Sequence, residues 1–264
     1  MQISGSTVLL TGATGGIGQA IARALHERGG ELILTGRRVE VLGPLAAELG
    51  GARTLAVDLS DPAELDRLVA ESGEVDILVA NAGLVAAGRL ESFTAEQIDR
   101  VLAVNLRAPI VLAHALAPSM VERGRGHLSF MSSLNGKAAT SQTCIYNATK
   151  FGLRGFAAAL RIDLRSSGVG VSTIMPGFVR DAGFFAESGT KLPPGVGTRS
   201  PEDVARAVVS AIEHNRGEVD VAPLSLRLGS AFAGLAPGVA ATVSRHMGAE
   251  KIASDLAASS ASKR

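Results

Sequence analysis

The sequence predicts an α/β protein: a doubly wound parallel sheet of about seven strands, with helices on both faces. Three observations predict it. Short apolar runs alternate with longer segments of helical periodicity along most of the 264 residues, the order that makes parallel strands joined by crossover helices. The strand runs are almost continuously apolar, as expected of a sheet covered on both faces. The first of them ends in a glycine-rich turn that leads directly into a helix.

The elements follow in order. Thr7–Leu10 reads as the first strand. Ile17, Ile21, Ala24 and Leu25 then recur at helical spacing until Gly29-Gly30 stops the helix. Residues 32–34 form the second strand, 39–49 a helix closed by Gly50-Gly51, and 54–57 the third strand. Asp61-Pro62 gives the next helix a capping side chain and a first-turn proline. The fourth strand is 76–80, and 95–123 reads as one long helix. Strand 127–131, helix 144–167, strand 169–175, helix 201–215 and strand Glu218–Val221 complete the pattern. No repeat or linker divides the chain, so residues 1–264 are expected to form one domain. Within it, the Gly/Pro-containing stretch 182–200 is expected to be a mobile substrate loop, and 222–264 a C-terminal extension whose Ala/Ser/Lys-rich end, from about 249, frays.

Composition narrows the function. Twenty-six basic and 25 acidic residues leave a net charge of +1, which gives nucleic acid no electrostatic footing. Cys144 is the only cysteine, so no intrachain disulfide forms, and a reducing, cytoplasmic setting is expected. The amino terminus, Met-Gln-Ile-Ser-Gly, lacks the charged and apolar regions of a signal peptide. No segment is expected to span a bilayer. The nearest, 228–244, is uncharged but slightly short, and Gly229, Gly234, Pro237 and Gly238 interrupt it. A packing segment or a cover over the substrate side is expected there, ahead of a membrane-surface role. His114, His127, His214 and His246 lack metal-ligand spacing, and no metal is expected.

Two local patterns carry chemistry. In Thr11-Gly12-Ala13-Thr14-Gly15-Gly16-Ile17-Gly18 the glycines let the backbone turn tightly and approach a pyrophosphate, and the helix that follows offers free N–H groups. The spacing is not the common G-x-G-x-x-G, but the strand–turn–helix setting favours a nucleotide. The second strand runs into Thr35-Gly36-Arg37-Arg38, with no carboxylate for a ribose 2′-hydroxyl and two guanidinium groups suited to a 2′-phosphate. NADP is therefore expected ahead of NAD; the competing reading makes these solvated loop arginines.

The second pattern is Tyr146, the only tyrosine, followed four residues later by Lys150, one of five lysines. Chance gives that spacing about 2% of the time, and on a helix it puts both side chains on one face. Hydride reduction of a carbonyl needs a proton donor. A free tyrosine titrates near about 10, and a lysine charge about 4 Å away is worth about 4 kcal/mol at an effective dielectric of about 20. Burial opposes that charge; the net shift is expected to be downward.

With these residues in hand, the chain resembles the short-chain dehydrogenase/reductase family from about residue 6 to 221. Thr11-Gly12-x-x-x-Gly16-Ile17-Gly18 resembles its cofactor loop, Asp58-Leu59 the pair that meets the adenine, and Asn81-Ala82-Gly83 its turn after the fourth strand. Asn105 matches the helix asparagine. Ser133 stands thirteen positions before Tyr146-Asn147-Ala148-Thr149-Lys150, and Pro176-Gly177 matches the turn beside the nicotinamide. The resemblance implies a Rossmann fold that transfers hydride between a nicotinamide cofactor and a ketone or secondary alcohol. It implies that Ser133 orients the substrate oxygen, Tyr146 moves the proton, Lys150 holds the ribose, and Asn105 either positions a water or satisfies a helix kink. Ser132 would take the place of Ser133 if the register slipped. Cofactor contacts are implied for Gly12, Thr14, Gly15, Gly16, Ile17, Gly18, Arg37, Arg38, Asp58, Leu59, Asn81, Ala82, Gly83, Tyr146, Lys150, Pro176, Gly177 and Val179. One departure stands out: Asp181 occupies the place of a common threonine, and is expected to point away, toward Arg180 or a helix start.

Phe184, Phe185 and Leu192 suggest an apolar substrate; the competing reading has them only packing the loop down. Phe151, Phe156, Leu160 and Ala157-Ala158-Ala159 give the tyrosine helix apolar surface for a homodimer or homotetramer. The rival readings are a regulator that binds NADP without turnover and an epimerase or dehydratase; relatives of the first kind usually lack the Tyr/Lys pair, and the second needs a larger substrate domain.

Overall fold

Side-chain alternation along the strands feeds two cores at once. In β1 (Thr7–Leu10) Val8 and Leu10 enter one layer and Leu9 the other; in the fourth strand Ile77 and Val79 enter the first layer, Leu78 and Ala80 the second. The computed structural model describes residues 1–190, 192, 196–246 and 249–260, with the side chains of 241, 243–246, 249–252 and 260 left aside. Besides β1 the strands are β2 (Glu31–Gly36), β3 (Arg53–Ala56), β4 (Ile77–Ala80), β5 (Gly126–Met131), β6 (Val169–Pro176) and β7 (Glu218–Val221). They form one all-parallel sheet in the order β3-β2-β1-β4-β5-β6-β7. Val8 pairs with Leu32 on one side and Ile77 on the other. The order reverses between β1 and β4, which opens a crevice at the carboxyl ends of those strands.

The helices among the described residues are α1 (Gly16–Glu27), α2 (Val39–Glu48), α3 (Pro62–Ser72), α4 (Ala95–Leu102), α5 (Ala108–Glu122), α6 (Cys144–Asp163), α7 (Gly183–Ser188), α8 (Pro201–Glu213), α9 (Leu224–Leu235), α10 (Pro237–His246) and α11 (Ala249–Ser260). Ile21 and Leu25 of α1, Leu42 and Leu45 of α2 and Val204, Val208 and Ile212 of α8 cover one face. Leu65 and Leu68 of α3, Leu112, Leu116 and Met120 of α5 and Leu153 and Ala157 of α6 cover the other.

The structure departs from the sequence reading at four places. The long helix 95–123 is broken by a π turn over Ala103–Arg107. As a whole, Ala95–Glu122 is long and apolar enough to cross a membrane, with a mean hydropathy of 1.5, which corrects the expectation that no segment is. Its buried Leu112, Ala113, Leu116 and Met120 lie in the second core, so here it serves as a core helix. The stretch 182–200 carries α7, and its base is closed by backbone hydrogen bonds between Arg180 and Arg199 and between Arg199 and Phe178, 2.9 Å each; residues 191 and 193–195 lie outside the described residues. The end expected to fray forms α11. Alanine favours helix intrinsically, Ala253 is buried, and Ser254 accepts a 2.9 Å hydrogen bond from the Gln142 side chain. Finally, Phe156, Ala157 and Leu160 of α6 pack inward, Phe156 edge-on to Phe130 at 5.6 Å; Ala158 and Ala159 face outward as expected, and the large outward apolar residues are Phe151 and Ile162.

Candidate active site

The carboxyl ends of β1, β4, β5 and β6 bring the expected residues to one crevice. Ser133 follows β5 and caps a single 3-10 turn, Leu134–Gly136, by accepting the Asn135 N–H at 3.1 Å. Its hydroxyl donates to the Pro176 carbonyl at 3.4 Å and stands near enough to Tyr146, in the first turn of α6, to favour the ionised phenol. Ser132 points elsewhere: it is buried and donates to the Lys150 carbonyl at 3.0 Å. The register therefore puts Ser133, and not its neighbour, against the tyrosine.

Lys150 lies one turn beyond Tyr146, buried, with its ammonium 5.5 Å from the tyrosine ring centre and donating to the Met131 carbonyl at 2.8 Å. Burial lowers its pKa to about 8. Burial also pushes the Tyr146 phenol above its usual range, and the nearby Ser133 hydroxyl only partly offsets this. That corrects the expected downward shift. Desolvation penalises a phenolate, and the lysine meant to stabilise it is itself made less basic by the same burial.

Asn105 sits in the π turn. Its amide clamps the backbone of Leu84, accepting the N–H and donating to the C=O at 2.7 Å each, and it makes a longer 3.4 Å contact to Thr149. It thus ties the π turn to the segment that follows β4. A Cβ placed on Gly83 would stand 3.6 Å from both the Asn105 Oδ1 and the Lys150 Nζ, so Gly83 faces the two together.

The glycine loop is held from beneath. Thr11 is buried and its Oγ1 accepts the N–H groups of Asn81 and Ala82, 3.1 Å each. Asn81 returns its side-chain amide to the carbonyls of Thr11 and Gly12. Gly12 has φ +69°, and a Cβ there would meet the Ala82 Cα at 2.7 Å. Gly15 is the N-cap of α1 with no side-chain cap, which leaves the first N–H groups of the helix open to an anion. Thr14 is buried, and its carbonyl accepts from Arg38 at 2.6 Å. Gly16 lies under Ala182, Gly18 packs against the Gly12 carbonyl, and Ile17 lies beside Gly183. A cleft of about 760 Å³ runs between this loop and α7, lined by Thr14, Gly16, Gln19, Arg38, Arg180 and Phe185 among others. Open helix N–H groups, a close backbone approach and two arginines fit a nicotinamide dinucleotide.

A short chain dehydrogenase family model matches residues 6–192, well over half of the sequence. The chain belongs to the short-chain dehydrogenase/reductase family. It is a nicotinamide-dependent oxidoreductase. The chain is 34% identical over 227 residues to the ketoacyl reductase HetN of Nostoc sp., covering 83% of this chain and 79% of that one. A short-chain dehydrogenase from Sphingobium yanoikuyae, solved in complex with NADPH, superposes with a TM-score of 0.77 at 30% identity, covering 89% of this chain and 94% of that one. The bulky-bulky ketone specific alcohol dehydrogenase of Comamonas testosteroni gives a TM-score of 0.75 at 25% identity, covering 88% and 94%.

The remaining expected contacts of this dehydrogenase are placed as follows. The Asp58 carboxylate accepts from Ser60 N–H at 2.9 Å, Ser60 Oγ at 2.6 Å and Arg100 at 2.9 Å, with Arg37 3.9 Å away. Burial raises its pKa, but these partners outweigh burial and hold it low. Leu59 is buried in the second core. Pro176 ends β6, Gly177 donates to Val221 O, and Val179 is buried and bridges to Arg199. Asp181, at φ +64°, is exposed and pairs with Arg180 at 3.3 Å as expected, but it also lines the cleft between the glycine loop and α7 and so does not turn away from it. Among the described residues no group of three or more His, Cys, Asp or Glu is placed to hold a metal. His127 is a core residue, bonded to Ser172 at 2.8 Å, and burial lowers its pKa to about 3.

Sequence reasoning missed Thr11 as the brace of the loop and Arg100 as the partner of Asp58. It also missed Leu84, Phe93 and Ile98, which pack with Tyr146 against the small core of Ala86, Val101 and Ile145. A threonine before the first glycine was visible. Nothing in the sequence signalled the others.

Proposed function

We propose that this dehydrogenase moves a hydride between NADP(H) and a ketone or secondary alcohol, with Tyr146 as the general acid and base. The observation that carries the reading is the buried Lys150 one turn beyond Tyr146, its ammonium 5.5 Å from the tyrosine ring centre, with Ser133 on the phenol's side of the crevice. The cofactor, when bound, supplies or accepts the hydride at the substrate's carbonyl carbon. Ser133 orients the carbonyl oxygen. Tyr146 gives that oxygen its proton in reduction and takes it back in oxidation. Lys150 holds the ribose hydroxyls and adds positive charge beside the phenol; Asn105 keeps Leu84 and the turn at Gly83 in register with it.

Arg37 and Arg38 support NADP, as do the NADPH complex of the Sphingobium relative and the NADP complex of a metagenomic relative, 33% identical at a TM-score of 0.70. Leu84, Phe93 and Ile98, which share with Tyr146 the small apolar cluster of Ala86, Val101 and Ile145, support an apolar substrate, with 182–200 as the substrate loop and 222–264 as an extension of a single domain. Phe151 and Ile162, exposed on α6, support a homodimer or homotetramer. The exposed free thiol of Cys144 suits a cytoplasmic setting.

The test is cofactor oxidation with a panel of ketones, using NADPH and NADH. NADPH turnover is expected, and Tyr146→Phe should lower it by about 10²–10⁴ with NADPH affinity kept. Undiminished turnover in that variant overturns the mechanism, and faster turnover with NADH overturns the assignment of Arg37.

A further inference from the structure

Helix α9 carries its apolar residues on the solvent side. Leu224, Leu228, Phe232 and Leu235 fall on one stripe of the helix, and they are 65%, 63%, 49% and 87% exposed; Val239, in α10, is also 56% exposed. The opposite side packs inward through Leu226, against Leu134, Met175 and Ala222. Ser230 is buried on that side, its hydroxyl turned back to the Arg227 carbonyl at 3.0 Å. This inverts the polarity of an ordinary surface helix. Four large apolar side chains on one stripe also exceed the scattered exposure common on soluble proteins.

The charge around the stripe selects its partner. No Asp or Glu occurs from residue 221 to 249, and the basic residues of that stretch are Arg227, Arg245 and His246. Arg227 is exposed at the margin of the stripe. The acid just before it, Asp220, is tied to Lys137 at 2.8 Å. A second copy docked here through a two-fold axis would set this carboxylate-free, cationic stretch against itself. An anionic bilayer instead takes the leucines and phenylalanine into its acyl boundary and Arg227 at its phosphates.

We propose that α9 and the start of α10 dock this protein on an anionic membrane surface. The docking face lies beside the active site, because Leu226 of α9 packs on Leu134, the residue after Ser133. Delivery of an apolar ketone from the bilayer follows only if the ketone reading holds; the docking itself does not depend on it.

The experiment is co-flotation of the full chain with vesicles of phosphatidylcholine and phosphatidylglycerol, beside vesicles of phosphatidylcholine alone. The comparison variant is Leu228→Glu combined with Leu235→Glu, both at exposed positions, with thermal unfolding and light scattering confirming its fold and oligomeric state. Retention on the anionic vesicles is expected, weakened by about tenfold or more in the variant, whose melting temperature and oligomeric state stay unchanged. Absence of retention, equal retention of the variant, or equal retention on phosphatidylcholine alone overturns the proposal. So does a variant that falls to smaller oligomers, which would make the stripe a contact between copies. No turnover enters the readout, so a failure here is distinct from a failure of the ketone assay.

Discussion

The ammonium of Lys150 stands 5.5 Å from the centre of the Tyr146 ring, and both groups are shifted toward neutrality by burial. The pair is thus held at a cost in stability, and that cost depends on pH. Unfolded, Lys150 titrates at about 10.4; folded, at about 8. Between these values the unfolded chain binds the extra proton, so stability rises with pH across that window, by up to about 3 kcal/mol. Below about pH 8 the cost is fully present. Tyr146 is raised, so its own loss of stability starts only above its free value of about 10. Urea unfolding at neutral pH and at about pH 9.5 should show this rise in the wild type and not in Lys150→Met. A wild-type-to-variant difference that is flat across the window would refute the buried charge.

Asn105 is expected to be structural first. Replacing it with Ala strands both the N–H and the C=O of Leu84, each now bonded at 2.7 Å. An unpaired buried backbone group costs about 1–3 kcal/mol, so Asn105→Ala should lose on the order of 2–4 kcal/mol. Its kcat should fall, with NADPH affinity little changed. Wild-type stability in this variant would show that the clamp on Leu84 contributes nothing.

The contrast between Tyr146 and Asn105 shows what the sequence could reveal. Tyr146 and Lys150 are four residues apart, and the glycine loop is a single turn, so local spacing exposes both. The strands were legible because a sheet covered on both faces needs continuous apolar runs. The brace from Thr11 to Asn81 spans 70 residues and the pair Arg100–Asp58 spans 42; such partners are chosen by tertiary packing, which no local pattern encodes. The direction of the Tyr146 shift was misjudged for the same reason, since it depends on how deeply both groups are buried. In α9 the periodicity was present, but which face turns outward is set by its contact with Leu134 and Met175.

Arg37 and Arg38 should separate in a cofactor assay. Arg38 is engaged with the Thr14 carbonyl at 2.6 Å, bracing the glycine loop. Arg37 is exposed, 3.9 Å from Asp58. A charged pair to a phosphate is worth about 1.5–3 kcal/mol, so Arg37→Ala should raise the KM for NADPH by about ten- to hundredfold and leave NADH nearly unchanged. Arg38→Ala should weaken both cofactors. Equal losses for both cofactors in Arg37→Ala would assign the 2′-phosphate to another group.

The two glycines of the loop give the sharpest contrast. Gly12 holds φ +69°, and a Cβ there would collide with the Ala82 backbone at 2.7 Å. Alanine in that region costs about 1–2 kcal/mol before any collision, so Gly12→Ala should lower the melting temperature and abolish cofactor binding together. Gly15 has φ −76°, and the nearest atom to an added Cβ is the Gly12 carbonyl oxygen at 3.7 Å. The fold therefore accepts alanine there, with a stability change within about 0.5 kcal/mol. The methyl group instead narrows the approach to the open N–H groups of α1, where the pyrophosphate is expected. Gly15→Ala should keep its melting temperature yet bind NADPH about tenfold or more weakly by titration calorimetry. Wild-type affinity in that stable variant would mean the phosphates do not pass over Gly15, and the cofactor's path along the loop would have to be redrawn.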